Sequence, residues 1–134
     1  MGSLLSELRK YGIVENICRK KPCLWVAKVS EIGTKVKIYL GKRYERPLIS
    51  FKFKNGSYEC IFLTTFHLAK GKKIPLHLCP GKRNSFHWKE EARIFRRDGK
   101  VIFRIPEKIL KKASFHSTCK EEIVKIIERA IKWR

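Results

Sequence analysis

Apolar and polar residues alternate most regularly between Glu45 and Thr65, where two runs, Pro47 to Lys54 and Ser57 to Thr64, flank the pair Asn55-Gly56. Asn-Gly favours a two-residue type I′ loop, because both central residues need positive φ, so the stretch reads as one long β-hairpin. The turn sets the register. Lys54 falls opposite Ser57, Phe53 opposite Tyr58, Phe51 opposite Cys60 and Ile49 opposite Phe62, which places six apolar side chains on one side of the sheet. On the other side Lys52 meets Glu59, a favourable cross-strand charge pair, and Leu48 meets Leu63. Pro47 belongs at the start of its strand, where a missing N–H does least harm. Arg46 then stands at the mouth of one strand, with Thr64 and Thr65 leaving the other beside it.

The same patterning predicts the remaining elements. Leu4, Leu5, Leu8 and Tyr11 recur at helical spacing between Ser3 and Gly12, and the apolar cluster Cys23 to Val29 reads as a strand. Val36, Ile38 and Leu40 alternate with Lys35, Lys37 and Tyr39 in a half-buried strand led by Gly33, followed by a basic loop containing Lys42 and Arg43. Ile74 to Leu78 is a short strand that Pro75 confines to a sheet edge. Pro80 to Ser85 is a loop carrying Lys82 and Arg83, with Trp88 just beyond it. Asp98-Gly99 signals a second hairpin. Its register sets Arg97 opposite Lys100, Phe95 opposite Ile102 and Arg93 opposite Arg104, leaving Ile94, Val101 and Phe103 for the core. Four cations on one face, two like-charged pairs directly opposed, cost folding energy and read either as a surface facing an anion or as a solvated face with its cations splayed. Pro106 to Leu110 reads as a helical turn. Thr118 to Glu121 has the capping-box pattern, and Ile123, Val124, Ile127, Ala130 and Ile131 form the apolar stripe of a last helix that docks on the sheet.

Charge changes this picture most. The 134 residues hold 32 Lys plus Arg against 12 Asp plus Glu, a net +20, in a chain that is 43% hydrophobic and therefore able to build one core. So one-sided a charge points to a polyanionic partner. Nucleic acid comes first; a membrane surface comes second, because the cations are spread through strands rather than along one amphipathic helix. With no long apolar run and no secretory leader pattern, the expectation is a soluble, cytoplasmic protein without a membrane partner. Five cysteines make no even framework and are expected to be reduced. Cys18 with Cys23, or His77 with Cys79 and His87, signals zinc only weakly, so no metal or other cofactor is expected. The absence of Gln and the heavy use of Lys, Ile and Glu lean toward a thermophile. Clustered carboxylates for a catalytic Mg²⁺, a phosphate-binding glycine loop and a Gly-x-Ser-x-Gly elbow are all missing from the sequence, so any catalysis is expected to be metal-free.

The order of parts adds a family. A Gly-led strand (Gly33 to Leu40), a charged loop, Arg46-Pro47, an apolar hairpin, Thr64-Thr65, a short strand and a capped final helix resemble the MazF/PemK/Kid toxin ribonucleases, over residues 33–134. The resemblance implies a mainly β (α+β) fold, a small SH3-like antiparallel β-barrel with a C-terminal helix; the N-terminal helix belongs to residues 1–32, an extension that departs from the family pattern and is expected to pack, as a short helix plus strand, on the same domain. It also implies metal-independent cleavage of RNA, a homodimer and an acidic antitoxin protein. Carried over by position, Arg46 would stabilise the phosphorane, Thr64 would donate a hydroxyl beside it, and Glu45 would be the assisting acid. The competing expectation is a non-catalytic DNA- or RNA-binding module on a small β-barrel, using Arg93, Arg97, Lys100 and Arg104 for phosphates and Trp88 or Phe86 for stacking, with Lys82, Arg83, Lys42 and Arg43 adding charge.

Overall fold

The Asn55-Gly56 hairpin is the spine of the sheet. In the computed structural model, which describes residues 13–14, 16–33, 45–64, 72–80, 91–96 and 99–132, strand β2 (Glu45–Lys54) turns into β3 (Ser57–Thr64) through Asn55 at φ 53° and Gly56 at φ 75°. Both central residues are left-handed, as a type I′ loop requires. On β2's other edge lies β1 (Cys23–Lys28), which in turn pairs with β7 (Ser114–Thr118). On β3's other edge lie β5 (Glu91–Ile94) and β6 (Ile102–Pro106), and β4 (Lys73–Pro75) closes the order β4-β5-β3-β2-β1-β7. The whole is a mainly β, α+β fold, a curled antiparallel half-barrel with short helices. The strand expected in the extension 1–32 is β1, which sits inside this sheet between β2 and β7.

Near its turn the hairpin has the expected register, with Lys54 opposite Ser57, Phe53 opposite Tyr58 and Lys52 opposite Glu59. Further along it does not. A bulge between Ser50 and Lys52 shifts the pairing so that Ser50 meets Cys60, Ile49 meets Ile61 and Leu48 meets Phe62. One extra residue turns every later side chain to the other face, so Phe51 and Ile49 do not join Phe53, Tyr58, Cys60 and Phe62. The consequence is two cores, one on each face. The first holds Trp25, Leu48, Tyr58, Cys60, Phe62, Phe103 and Ile105, covered by helical residues 16–20 and by the single turns α1 (Val29–Ile32) and α2 (Glu107–Leu110). The second holds Ile49, Phe51, Ile61, Leu63 and Ile94 under α3 (Glu122–Lys132), which contributes Ile123, Ile127 and Ala130. The bulge also keeps Ser50 on the first face, where the buried Trp25 indole Nε1–H donates to its hydroxyl at 2.9 Å.

The flanks of Asp98-Gly99 do not pair with each other as the expected hairpin requires. Strands β5 and β6 both run antiparallel to β3 and follow one another along the same edge, β5 on Leu63 and Thr64, β6 on Ser57 to Ile61. The Phe95 N–H still donates to Phe62 O at 2.7 Å, and Ile102 already faces Ile61, while Arg97 and Asp98 between them lie outside the described residues. Arg93 therefore stands opposite Thr64, and Arg104 opposite Glu59; the two arginines are never paired. Opposite charges on Arg104 and Glu59 favour this register over the like-charged one.

Smaller corrections follow from the same contacts. The short strand expected over Ile74 to Leu78 is β4 followed by a 3₁₀ turn, Leu76–Leu78, with Pro75 at the sheet edge as expected. Thr118 ends β7 instead of capping α3. The helix expected at Ser3 to Tyr11 and the strand expected over 34–40 lie outside the described residues.

Four of the five cysteines are not reduced thiols. Cys18 is bonded to Cys23 and Cys79 to Cys119, which engages in disulfides the thiols of both weakly signalled zinc groups. The two bridges meet at one corner, where Cys23 is opposite Thr118 and the Cys119 N–H donates to Pro22 O at 2.8 Å. Judged by loop length, Cys79–Cys119, with a separation of 40, stabilises by about 4 kcal/mol, and Cys18–Cys23, with a separation of 5, by about 2 kcal/mol. Cys60 is free and fully buried, and desolvation, with the nearby Glu59 charge, pushes its thiol far above the usual range.

The turn end of the hairpin is held by Glu107. Its backbone N–H donates to Gly56 O at 3.0 Å. Its carboxylate accepts two hydrogen bonds from Arg19, Nε at 2.8 Å and Nη2 at 2.6 Å, and one from Tyr58 Oη at 2.8 Å. The Arg19 hydrogen bonds first, and Tyr58 with them, hold the Glu107 carboxyl below the usual range against the opposing effect of burial.

Candidate nucleic-acid interface

The end of the sheet opposite the Asn55-Gly56 turn is built differently on its first face. Ala27 and Arg46 are partners between β1 and β2, Thr64 and Arg93 between β3 and β5, and Arg93 and Lys73 between β5 and β4. The β2–β3 register, continued two residues past Leu48 and Phe62, brings Arg46 level with Thr64. Cross-strand partners share a face in an antiparallel sheet. Arg46, Thr64, Arg93 and Lys73 thus form one row across four strands, on the face of Leu48 and Phe62. The Arg46 guanidinium carbon lies 5.9 Å from the centroid of the Phe95 ring, which packs against that same core two residues beyond Arg93.

Two features of the row bear on chemistry. Arg46 is only part exposed, and its Nε is buried with no hydrogen-bond partner among the described residues. A buried donor on a charged group is costly to leave unmatched, and an anionic oxygen would match it. Thr64 is buried, at 8% exposure, and is not the exposed strand end that the sequence suggests. Burial means that replacing Thr64 affects packing.

The sequence-predicted residues divide on this geometry. Arg46, Thr64 and Arg93, assigned from the sequence to two different sites, belong to one. Glu45 does not join them, since successive residues of a strand point to opposite faces, and its partner is Lys28. Arg104 is exposed on the second face opposite Glu59, so the expected four-cation surface of Arg93, Arg97, Lys100 and Arg104 does not exist as one face. Lys100 is on the first face, its ammonium 5.2 Å from the centroid of the Phe103 ring. Lys42, Arg43, Lys82, Arg83, Phe86, Trp88 and Arg97 lie outside the described residues. Lys73 was missed. Its alternation in a three-residue strand is too short to assign a face, and only the pairing with β5 reveals it.

Among the described residues no group of three or more His, Cys, Asp or Glu is placed to hold a metal ion, and no helix is long and apolar enough to cross a membrane. Neither family models, nor curated proteins, nor solved structures match this chain.

Proposed function

We propose that this protein binds nucleic acid, with the Arg46, Thr64 and Arg93 end of the sheet holding the sugar-phosphate backbone. The observation that carries this reading is the Arg46 guanidinium, with its buried Nε unmatched, in a row with two further cations of a chain charged +20. Guanidinium groups suit phosphate because several N–H donors are presented in one plane. RNA is the favoured partner and DNA the alternative. The Gln-free composition together with two disulfides fits a cytoplasmic protein of a thermophile, where intracellular disulfides persist. The test is fluorescence anisotropy with labelled single-stranded RNA and DNA across a salt series. Affinity should fall steeply with salt as condensed counterions are released, and Arg46→Ala should weaken it; affinity that stays flat with salt removes the polyanion reading.

A second reading is metal-independent cleavage of RNA, favoured by the register that sets Arg46 level with Thr64. There the guanidinium would stabilise a pentacoordinate phosphorane and the hydroxyl would donate to it, with a homodimer and an acidic antitoxin as the expected partners. Arg46→Ala should then lower the cleavage rate on the order of 100-fold or more, well beyond its effect on binding. The measurement is cleavage of labelled RNA in EDTA. Tight binding that leaves RNA intact under all conditions ends this reading and leaves the binding module.

A further inference from the structure

Within the binding reading, the row has a direction. Arg46, Arg93 and Lys73 follow one another perpendicular to the strands, from interior β2 past β3 and β5 to β4, which ends the strand order. Adjacent strands are about 4.8 Å apart, so the three strand spacings from Arg46 to Lys73 span about 14 Å. That length matches about four nucleotides at the roughly 3.4 Å rise of a stacked strand. Arg93 and Lys73 are like charges directly opposite one another, an arrangement that sheets otherwise avoid. Along the strands, by contrast, the first face turns apolar within two residues of Arg46 and Thr64, at Leu48 and Phe62, both fully buried. Among the described residues at this end of the face, the cations follow one another across the strands.

We infer that the nucleic-acid backbone crosses the sheet over β2, β3, β5 and β4 and leaves over the β4 edge, with Arg93 and Lys73 forming a second phosphate subsite beyond the one at Arg46. This inference rests on the nucleic-acid reading and assigns a role to Lys73, an exposed residue of a three-residue edge strand. Arg104, on the other face, has none.

The test is the salt dependence of binding to a short fluorescent oligouridylate by the full chain and by Lys73→Gln, Arg93→Gln and Arg104→Gln, with circular dichroism to confirm that each variant folds. Lys73→Gln and Arg93→Gln should each flatten the log-log salt slope by about 0.7, the contribution of one neutralised phosphate on a single strand. Arg104→Gln should leave the slope unchanged. Because Lys73 is exposed, its variant keeps the test decisive even if Arg93→Gln perturbs the sheet. Binding by the full chain with an unchanged slope in Lys73→Gln, or a loss in Arg104→Gln as large as in Lys73→Gln, overturns the cross-strand path while leaving nucleic-acid binding in place. No binding by the full chain ends both.

Discussion

Two dipeptides of the same kind, Asn55-Gly56 and Asp98-Gly99, have different outcomes in this molecule. Gly56 and Gly99 share a positive φ, 75° and 76°, so the sign of the glycine φ does not separate them. What separates them is where their flanks find partners. The strands on either side of Asn55-Gly56, ten and eight residues long, pair with each other from Leu48–Phe62 to Lys54–Ser57. Those on either side of Asp98-Gly99 are four and five residues long, and both pair with β3. A turn signal predicts a hairpin only when no third strand competes for the flanks. Here β3 offers Cys60 to Phe103 and Glu59 to Arg104, against two like-charged pairs in the alternative.

That comparison can be broken most forcefully at β6. Phe103 is buried and meets Phe62 edge-on with ring centroids 5.1 Å apart, a contact that exists because β6 lies along β3. Phe103→Ala should cost about 3–5 kcal/mol in chemical denaturation. A double-mutant cycle with Phe62 should show coupling of about 0.5–1.5 kcal/mol, and coupling near zero would remove β6 from β3.

The turns themselves come next. Gly56→Ala and Gly99→Ala should each cost about 1–2 kcal/mol, because a side chain at positive φ is strained; nothing lies within 4 Å of an added Cβ at either position. Their kinetics should differ. A loss in the local hairpin should slow folding, whereas a loss at Gly99 should mainly speed unfolding. Stopped-flow folding that shows the same partition for both would sink the distinction.

A smaller effect discriminates the registers directly. Arg104→Glu places like charges opposite Glu59 and should destabilise by about 0.2–1 kcal/mol, with Glu59→Arg restoring the pair. In the hairpin alternative the same change would set Glu against Arg93 and stabilise. The sign of the change in urea midpoint decides.

Acid should act at the Asn55-Gly56 turn. The Glu107 carboxyl is held low by Arg19 and Tyr58 beside Asn55-Gly56, so its contribution is present above the ordinary carboxylate range and lost as pH falls through the lowered folded value. The effect is modest because the Arg19 side chain is 41% exposed. Thermal midpoints should fall below about pH 4.5 more steeply in the natural chain than in Glu107→Gln. Parallel curves would show that the carboxylate does not matter.

The sequence by itself determined what depends on neighbours a few residues apart: the I′ turn, the three residue pairs nearest it, the amphipathic stripe of α3, and Pro75 at an edge. Each follows from a local rule, φ at Asn55-Gly56, a period of 3.6, or a missing N–H. That the strand ends carrying Arg46 and Thr64 lie side by side was also legible, but the unbulged register sets Arg46 opposite Thr65, and the bulge at Phe51 is what brings it level with Thr64. Only the tertiary structure decided the rest. It placed the N-terminal strand between β2 and β7, laid β5 and β6 end to end on β3, joined Cys79 to Cys119, separated Arg93 from Arg104, and brought Lys73 into the row. These outcomes depend on pairings between distant segments. A single bulged residue or a competing strand inverts which face a side chain occupies, and no window of sequence shorter than the whole sheet contains that information.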